Sequence, residues 1–274
     1  MRFNLKTFPI EKKTVFLRVD YNVPMKGKRV VDNSKIRFSL PTIKFLLEKE
    51  CKIVIAFHLG RPQGKVVKEL RIDPIVKELE KLLPKEKITK FDGCIGKEIR
   101  TKITIGNLRQ IYVLENLRFF KEERENNLSF AHSLAELAEV YVNDAFANSH
   151  RKHASMTGIT HFLPSLAGFL IEKEINFLNL ALKPKRPAVW MVGGAKLDKV
   201  NFIEQGLKKS DWMLIGGALC FPFLRAKGFK TGHSKLNQHS VRVAKKILQK
   251  NKKKIILPVD FVVAEKLSSR AKTQ

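Results

Sequence analysis

The chain has little that would staple it, anchor it or leave it unfolded. Its 274 residues include only three cysteines, Cys51, Cys94 and Cys220. They are odd in number, far apart and without metal-ligand spacing. That excludes a disulfide scaffold or zinc module and leaves reduced, buried thiols in a cytoplasmic setting. No run approaches the roughly 20 apolar residues of a helical membrane span. The opening Met1-Arg-Phe-Asn-Leu-Lys-Thr7 lacks an apolar signal segment. Fifteen glycines and eleven prolines are too few for a disordered chain. Acidic residues are scarce: 26 against 53 basic ones, a net charge of +27. Nucleic-acid binding is therefore one reading. Against it, the lysines are spread over the whole chain. Lys252-Lys-Lys254 fits a helix cap or a solvated face, and the aromatic-basic interleaving of a single-strand binder is missing. The same field would speed encounter with an anionic substrate.

What is present is a hydrophobic content of 44%, enough for one large domain or two ordinary ones. Short apolar runs alternate with longer helical patterns. Strands are expected at 15–19, 52–57, 88–91, 111–115, 139–143, 188–192, 212–216 and 255–259. Helices are expected at 39–50, 73–83, 129–138, 165–182, 199–209, 218–227 and 238–251. Asp73-Pro74 reads as an N-cap with proline at the first helical position, and Ser129 as the cap of another helix. Strand–helix alternation of this kind implies parallel sheets covered by helices on both faces, an α/β fold. The long helix at 165–182 ends at Lys183-Pro-Lys-Arg-Pro187, which marks a domain boundary.

Three strands end in polar, mostly cationic tips. Val15 to Val19 runs into Asp20 and Asn22. Lys52 to Phe57 runs into His58 and Arg61. Val140 to Val142 runs into Asn143 and Asp144, then into His150, Arg151 and His153. Open α/β sheets bind ligands at the carboxyl ends of their strands, so these tips imply one anion site built from distant segments. Asp20 could also close a turn or pair with Arg18. His150 and His153 stand outside the first layer of such a site, with His150 the better supporting candidate.

Six segments in order carry a resemblance: Arg18-Val-Asp-Tyr-Asn-Val-Pro24, His58-Leu-Gly-Arg-Pro62, Leu114-Glu-Asn-Leu-Arg-Phe119, the run Val140 to Ser155, Gly193-Gly-Ala-Lys196 and Leu257-Pro-Val-Asp260. Together they resemble phosphoglycerate kinase over essentially the whole chain. The resemblance implies two Rossmann-like parallel-sheet domains joined by a hinge helix, the second incomplete. It divides the chain into a 3-phosphoglycerate-binding domain at 1–168, the hinge helix at 169–183 and part of a nucleotide-binding domain at 184–274. It implies reversible phosphoryl transfer between 1,3-bisphosphoglycerate with ADP and 3-phosphoglycerate with ATP, by a monomer. The family segments that serve the ribose and the metal-nucleotide are expected beyond these 274 residues. Mg2+ would then be carried with ATP or ADP and held by a part not seen here, with no metal site made by this chain.

By the same resemblance, Asp20, Asn22, Lys35, His58, Arg61, Arg118 and Arg151 match the family's acid-binding residues. Planar arginine forks suit carboxylate and phosphate, and Asp20 and Asn22 suit the hydroxyl. Gly193, Gly194, Gly216, Gly217, Lys196 and Lys199 match the nucleotide side, with Lys35 and Lys196 bracketing the transferred group. Glycine turns let backbone amides approach phosphate at a helix N-terminus. Lys35 stands where the family has arginine; the charge is kept and the fork is lost. Arg37, in an extended segment, would face the same way and could substitute. Ala218 and Pro222 stand where the family usually has glycine and threonine. Two other classes remain: a non-catalytic phosphoglycerate-binding protein, and a nucleic-acid-binding basic protein.

Overall fold

Thr14-Val-Phe-Leu-Arg-Val19 is buried at every position. Such a strand needs cover on both faces, as in a parallel sheet flanked by helices. The computed structural model describes residues 4–195, 200–234, 236–264, 268, 271 and 272. The chain divides into two compact units, Met1–Asn176 and Phe177–Gln274.

In the first unit, β1 (Thr14–Val19) is followed by a hairpin of β2 (Met25–Lys26) and β3 (Arg29–Val30), then β4 (Lys52–Ala56), β5 (Ile88–Lys90), β6 (Ile111–Val113), β7 (Val140–Asp144) and β8 (Ser165–Ala167). Six strands form one sheet in the order β5-β6-β4-β1-β7-β8, and every pairing is parallel. All carboxyl ends therefore share one edge. The chain winds to one side of β1 through β6 and then crosses to β7 on the other side. Such a reversal is where open sheets form a ligand crevice.

Alternate residues build two cores. Val15, Leu17, Val19, Ile53, Ile55, Val140 and Val142 pack with Ile36, Ile43 and Ile75 of the helices α1 (Ser34–Glu48) and α2 (Asp73–Leu82). On the other face Phe16, Val54, Tyr112 and Tyr141 pack with Ile99, Ile103, Phe130 and Leu134. These come from α3 (Lys97–Ile105) and α5 (Leu128–Ala135), with α4 (Lys121–Glu125) between them. Arg18 belongs to this second face by the period of two, yet it is a charge with no solvent exposure.

Several expected boundaries move. The helix expected at 39–50 begins at Ser34 and runs through Pro41. Lys35 and Arg37 are thus two positions apart on a helix, some 200° round, so Arg37 does not face the same way as Lys35. The stretch 165–182 is β8, then Gly168, then α6 (Phe169–Leu182). A Cβ at Gly168 would overlap the Asp144 carboxylate. Asn127, not Ser129, caps α5 by accepting from the Phe130 amide at 2.9 Å. Asp73 is the first residue of α2, not its cap; it pairs with Lys90 at 3.0 Å instead.

In the second unit β9 (Val189–Val192), β10 (Trp212–Ile215) and β11 (Ile255–Ile256) form a parallel sheet in the order β11-β10-β9. The helices α7 (Val200–Leu207), α8 (Cys220–Ala226) and α9 (Gln238–Asn251) contribute Ile203, Leu207, Phe223, Ala244 and Ile247 to a core with Met213 and Ile215. Lys254 ends the charged run by donating to the Leu207 and Ser210 carbonyls at 3.2 and 3.0 Å. Cys51, Cys94 and Cys220 are all free and buried.

Asp144 turns from the sheet edge into the first unit. It is buried, and its Oδ1 accepts from the Leu170 amide at 2.9 Å, capping α6. Burial pushes its carboxyl from 3.8 up to about 6. The folded state therefore holds this proton more tightly than the unfolded one. The resulting stability is full below about pH 4 and is lost as pH rises through about 6, a swing of at most about 3 kcal/mol. Asp144→Asn should remove the swing. In urea denaturation the variant should gain on the wild type between pH 4 and pH 7; an unchanged difference would show that this carboxylate titrates normally.

Candidate active site at the carboxyl edge of the first sheet

Three strand ends are each closed by a short polar side chain that holds its own loop. Beyond β1, Asp20 Oδ1 accepts from the Asn22 amide at 3.2 Å. Beyond β6, Asn116 Oδ1 accepts from the Arg118 amide at 3.2 Å. At the end of β7, Asn143 Oδ1 accepts from the Ala145 amide at 2.9 Å. These Asx turns satisfy amides that leave the sheet ladder.

The loops are also tied to each other. Asn22 Oδ1 accepts from the Gly60 amide at 2.9 Å. Asn116 accepts from the Leu59 amide and donates to the Leu59 and Leu70 carbonyls, at 3.1, 2.9 and 3.0 Å. Arg118 Nη1 donates to the Gly60 carbonyl at 2.7 Å. The segment His58 to Pro62 is thus clamped between the ends of β1 and β6. Behind it the buried Glu115 carboxylate accepts from the Asn116 and Ile72 amides and pairs with Arg71 at 3.1 Å.

Several of the expected acid-binding residues lie near one another at this edge. Arg118 lies against Gly60, next to Arg61. Arg151 and Lys35 are close enough to His58 to act on its ionisation. Among the described residues Arg61, Arg118 and Arg151 have no carboxylate partner. Asp20 pairs with Lys35 at 2.8 Å, not with Arg18. Lys35 sits in the first turn of α1, where the helix dipole disfavours a cation and Asp20 offsets it.

His58 differs from its expected part as a cation. It is 2% exposed, and burial, with Arg18 and Arg151 beside it, pushes its imidazole down to about 2. It is a neutral hydrogen-bonding group. Arg18 Nη2 lies 3.1 Å from His58 Nδ1. A guanidinium only donates, so Nδ1 accepts and the proton resides on Nε2. Arg18 Nε donates to Ser155 Oγ at 3.0 Å, and Nη1 donates to the Val19 carbonyl. Ser155 Oγ donates in turn to Glu123 Oε1 at 2.6 Å. His153 Nδ1 lies 3.5 Å from the same oxygen, whereas His150 is exposed; His153 is the supporting histidine. Arg18, Asn116, Glu123 and Ser155 were not among the expected site residues.

In the second unit the two glycine turns meet at the carboxyl ends of β9 and β10. Gly194 and Gly217 have φ of 142° and 57°. A Cβ on Gly217 would lie 2.9 Å from the Gly194 nitrogen. The Gly216 amide donates to the Val192 carbonyl at 2.9 Å, and Gly193 lies beside Gly216. Pro222 occupies the first turn of α8, where no helical amide is needed. Lys196 and Lys199 lie outside the described residues. No cluster of three His, Cys, Asp or Glu side chains among the described residues is placed to hold a metal ion.

Comparison with known proteins bears on the family and the fold. The sequence profile of a family described as Phosphoglycerate kinase matches residues 5–274. The chain is 43% identical to the phosphoglycerate kinase of Moorella thermoacetica, covering 100% of this chain and 70% of that one. It is 43% identical to the phosphoglycerate kinase of a Picosynechococcus species, covering 99% of this chain and 69% of that one. The phosphoglycerate kinase structure from Coxiella burnetii superposes with a TM-score of 0.83 at 33% identity, covering 99% of this chain and 70% of that one. That from Pyrococcus horikoshii gives 0.82 at 32%, covering 96% and 68%.

The Asn116 side chain is fully buried and makes four hydrogen bonds at this edge. Asn116→Ala strands several buried backbone groups, each lost partner costing about 1–3 kcal/mol. The variant should unfold at clearly lower urea, with amide exchange rising first at Leu59 and Arg118. Wild-type protection at both amides would show that the clamp does not depend on Asn116.

Proposed function

The chain belongs to the phosphoglycerate kinase family, and we propose that its first sheet edge binds 3-phosphoglycerate while its paired glycine turns bind ATP or ADP. In the transfer, a carboxylate oxygen of 3-phosphoglycerate attacks the γ-phosphorus of ATP. The bond to the β,γ-bridging oxygen breaks, leaving 1,3-bisphosphoglycerate and ADP; the reverse reaction forms ATP. No protein nucleophile takes part. The chain's contribution is positioning and charge stabilisation. Mg2+ enters with the nucleotide as part of the substrate.

Arg61, Arg118 and Arg151 hold the phosphate and carboxylate. Asp20 and Asn22 take the hydroxyl, and His58 donates through Nε2. By the family resemblance, Lys35 and Lys196 serve the transferred phosphoryl group. Lys199 reaches the nucleotide phosphates, and the turns Gly193-Gly194 and Gly216-Gly217 bring backbone close to them. The roles of Lys196 and Lys199 rest on the family resemblance. On this reading 1–168 is the acid-binding domain, 169–183 the hinge helix and 184–274 the nucleotide-binding part. The protein works as a monomer in the cytoplasm, a setting with which three unpaired buried thiols are consistent.

One observation supports the acid-site assignment: Arg61, Arg118 and Arg151, without carboxylate partners among the described residues, stand on loops at one sheet edge, Arg118 bonded to Gly60 and Arg151 near the neutral His58. Such uncompensated charge calls for a multiply charged anion. A coupled assay with 3-phosphoglycerate and Mg-ATP tests the transfer. Binding without turnover would favour the non-catalytic reading, and retention on nucleic acid at physiological salt the nucleic-acid one.

In calorimetric titration, Arg61→Ala and Arg151→Ala should each weaken 3-phosphoglycerate binding by about 1.5–3 kcal/mol, the range for a hydrogen bond to a charged group. Unchanged affinity in both would remove the acid site from this edge. Lys35→Arg should raise turnover relative to the wild type, because a planar fork can face both Asp20 and the transferred group. Equal kcat for Lys35→Arg and Lys35→Ala would take position 35 out of the chemistry.

A further inference from the structure

The acid site rests on a charge that cannot touch the acid. Arg18 has no solvent exposure, and neither has Glu123. They are joined in one direction of donation. Arg18 Nε donates to Ser155 Oγ at 3.0 Å, and Ser155 Oγ donates to Glu123 Oε1 at 2.6 Å. The Ser155 amide donates to Glu123 Oε2 at 2.9 Å. The Ala154 amide donates to the Glu123 carbonyl at 2.9 Å. Glu123 therefore holds both the charge of Arg18 and the end of the loop that carries Arg151.

We infer that Arg18, Ser155 and Glu123 are positioning residues that lock His58 in its Nε2–H form and aim that donor at the bound acid. The chemistry leaves the ring one choice. Arg18 can only donate, so Nδ1 of His58 must accept. A donor is what an anion needs from His58; the other tautomer would present a lone pair and repel it. Glu123 sets the choice from two residues away. Without its charge, Arg18 is a buried cation that has lost its main counter-charge and has reason to swing out of line. The inference rests on the acid-binding reading of the site, but its first test does not use the acid.

In ligand-free protein labelled with 15N, long-range proton–nitrogen NMR of the His58 ring should show an unprotonated Nδ1 and a protonated Nε2. In Glu123→Gln the two nitrogens should move toward each other as tautomers mix. Ser155→Ala removes one hydroxyl and no charge, and should produce the same change where Glu123→Gln does not fold. In steady-state assays both variants should raise KM for 3-phosphoglycerate by about 10–100-fold, the equivalent of one lost charged hydrogen bond, with KM for ATP within about twofold of wild type. Ser155→Thr, which keeps the hydroxyl, should restore both the NMR pattern and KM. A protonated Nδ1 in the wild type overturns the inference, as do His58 nitrogens unmoved in both variants. Wild-type protein with the expected His58 signals that fails to bind 3-phosphoglycerate would instead refute the acid-site reading and leave the lock in place.

Discussion

Arg18 carries a full positive charge in the middle of a hydrophobic sheet face. Isolated, such a charge would cost more than most domains have to spare. The surrounding structure is arranged to answer it. α4 presents Glu123 from the next layer, Ser155 links the two, and the Val19 carbonyl and His58 each take one donor from the other two nitrogens. Each partner comes from a different segment: β1, the end of β4, α4 and the loop after β7. A buried network of this kind adds little net stability over an apolar core, but it tolerates few alternative arrangements. It fixes where His58 and the 150–155 loop stand, and that is what the site needs.

Parallel topology does the rest. Because every strand of the first sheet points the same way, its loops collect at one edge without any long excursion. Those loops would leave backbone amides unpaired. Asp20, Asn116 and Asn143 each bond an amide two residues ahead, and Asn22 and Asn116 also reach into the neighbouring His58–Pro62 loop. Short polar side chains thereby replace water at the edge. The arginines beyond them project from loops that are already fixed, so ordering them on a ligand costs less.

The polar tips of the strands were legible in the sequence because apolar runs ended abruptly at them. Strand–helix alternation gave the sheet class for the same reason. Arg18 was legible in principle, as one charge inside Val15-Phe-Leu-Arg-Val19, a run otherwise suited to full burial. Glu123 was not. It lies in Lys121-Glu-Glu-Arg-Glu125, and nothing local separates it from neighbours that stay at the surface. Only the packing of α4 selects it. The start of α1 was misplaced: the helix begins at Ser34 and passes through Pro41. That error put Arg37 on the face of Lys35. His58 was taken for a cation because the imidazole charge depends on neighbours that are distant in sequence.

The two kinds of ion pair at this edge differ in what a ligand can do to them. Lys35 is 44% exposed, and its contact with Asp20 competes with water. Exposed pairs of this sort contribute about 0–1 kcal/mol. On the proposed reading, an incoming phosphoryl group therefore draws Lys35 from Asp20 at small cost and leaves Asp20 free to accept a hydroxyl. The Arg18–Ser155–Glu123 chain has no exposure and no competing water, so a surface anion has no comparable means of rearranging it. The site thus pairs a fixed donor at His58 with a movable cation at Lys35. On the proposed reading, ground-state binding draws on the first, and the second follows charge as it shifts from nucleotide to acid, which is where differential stabilisation must act.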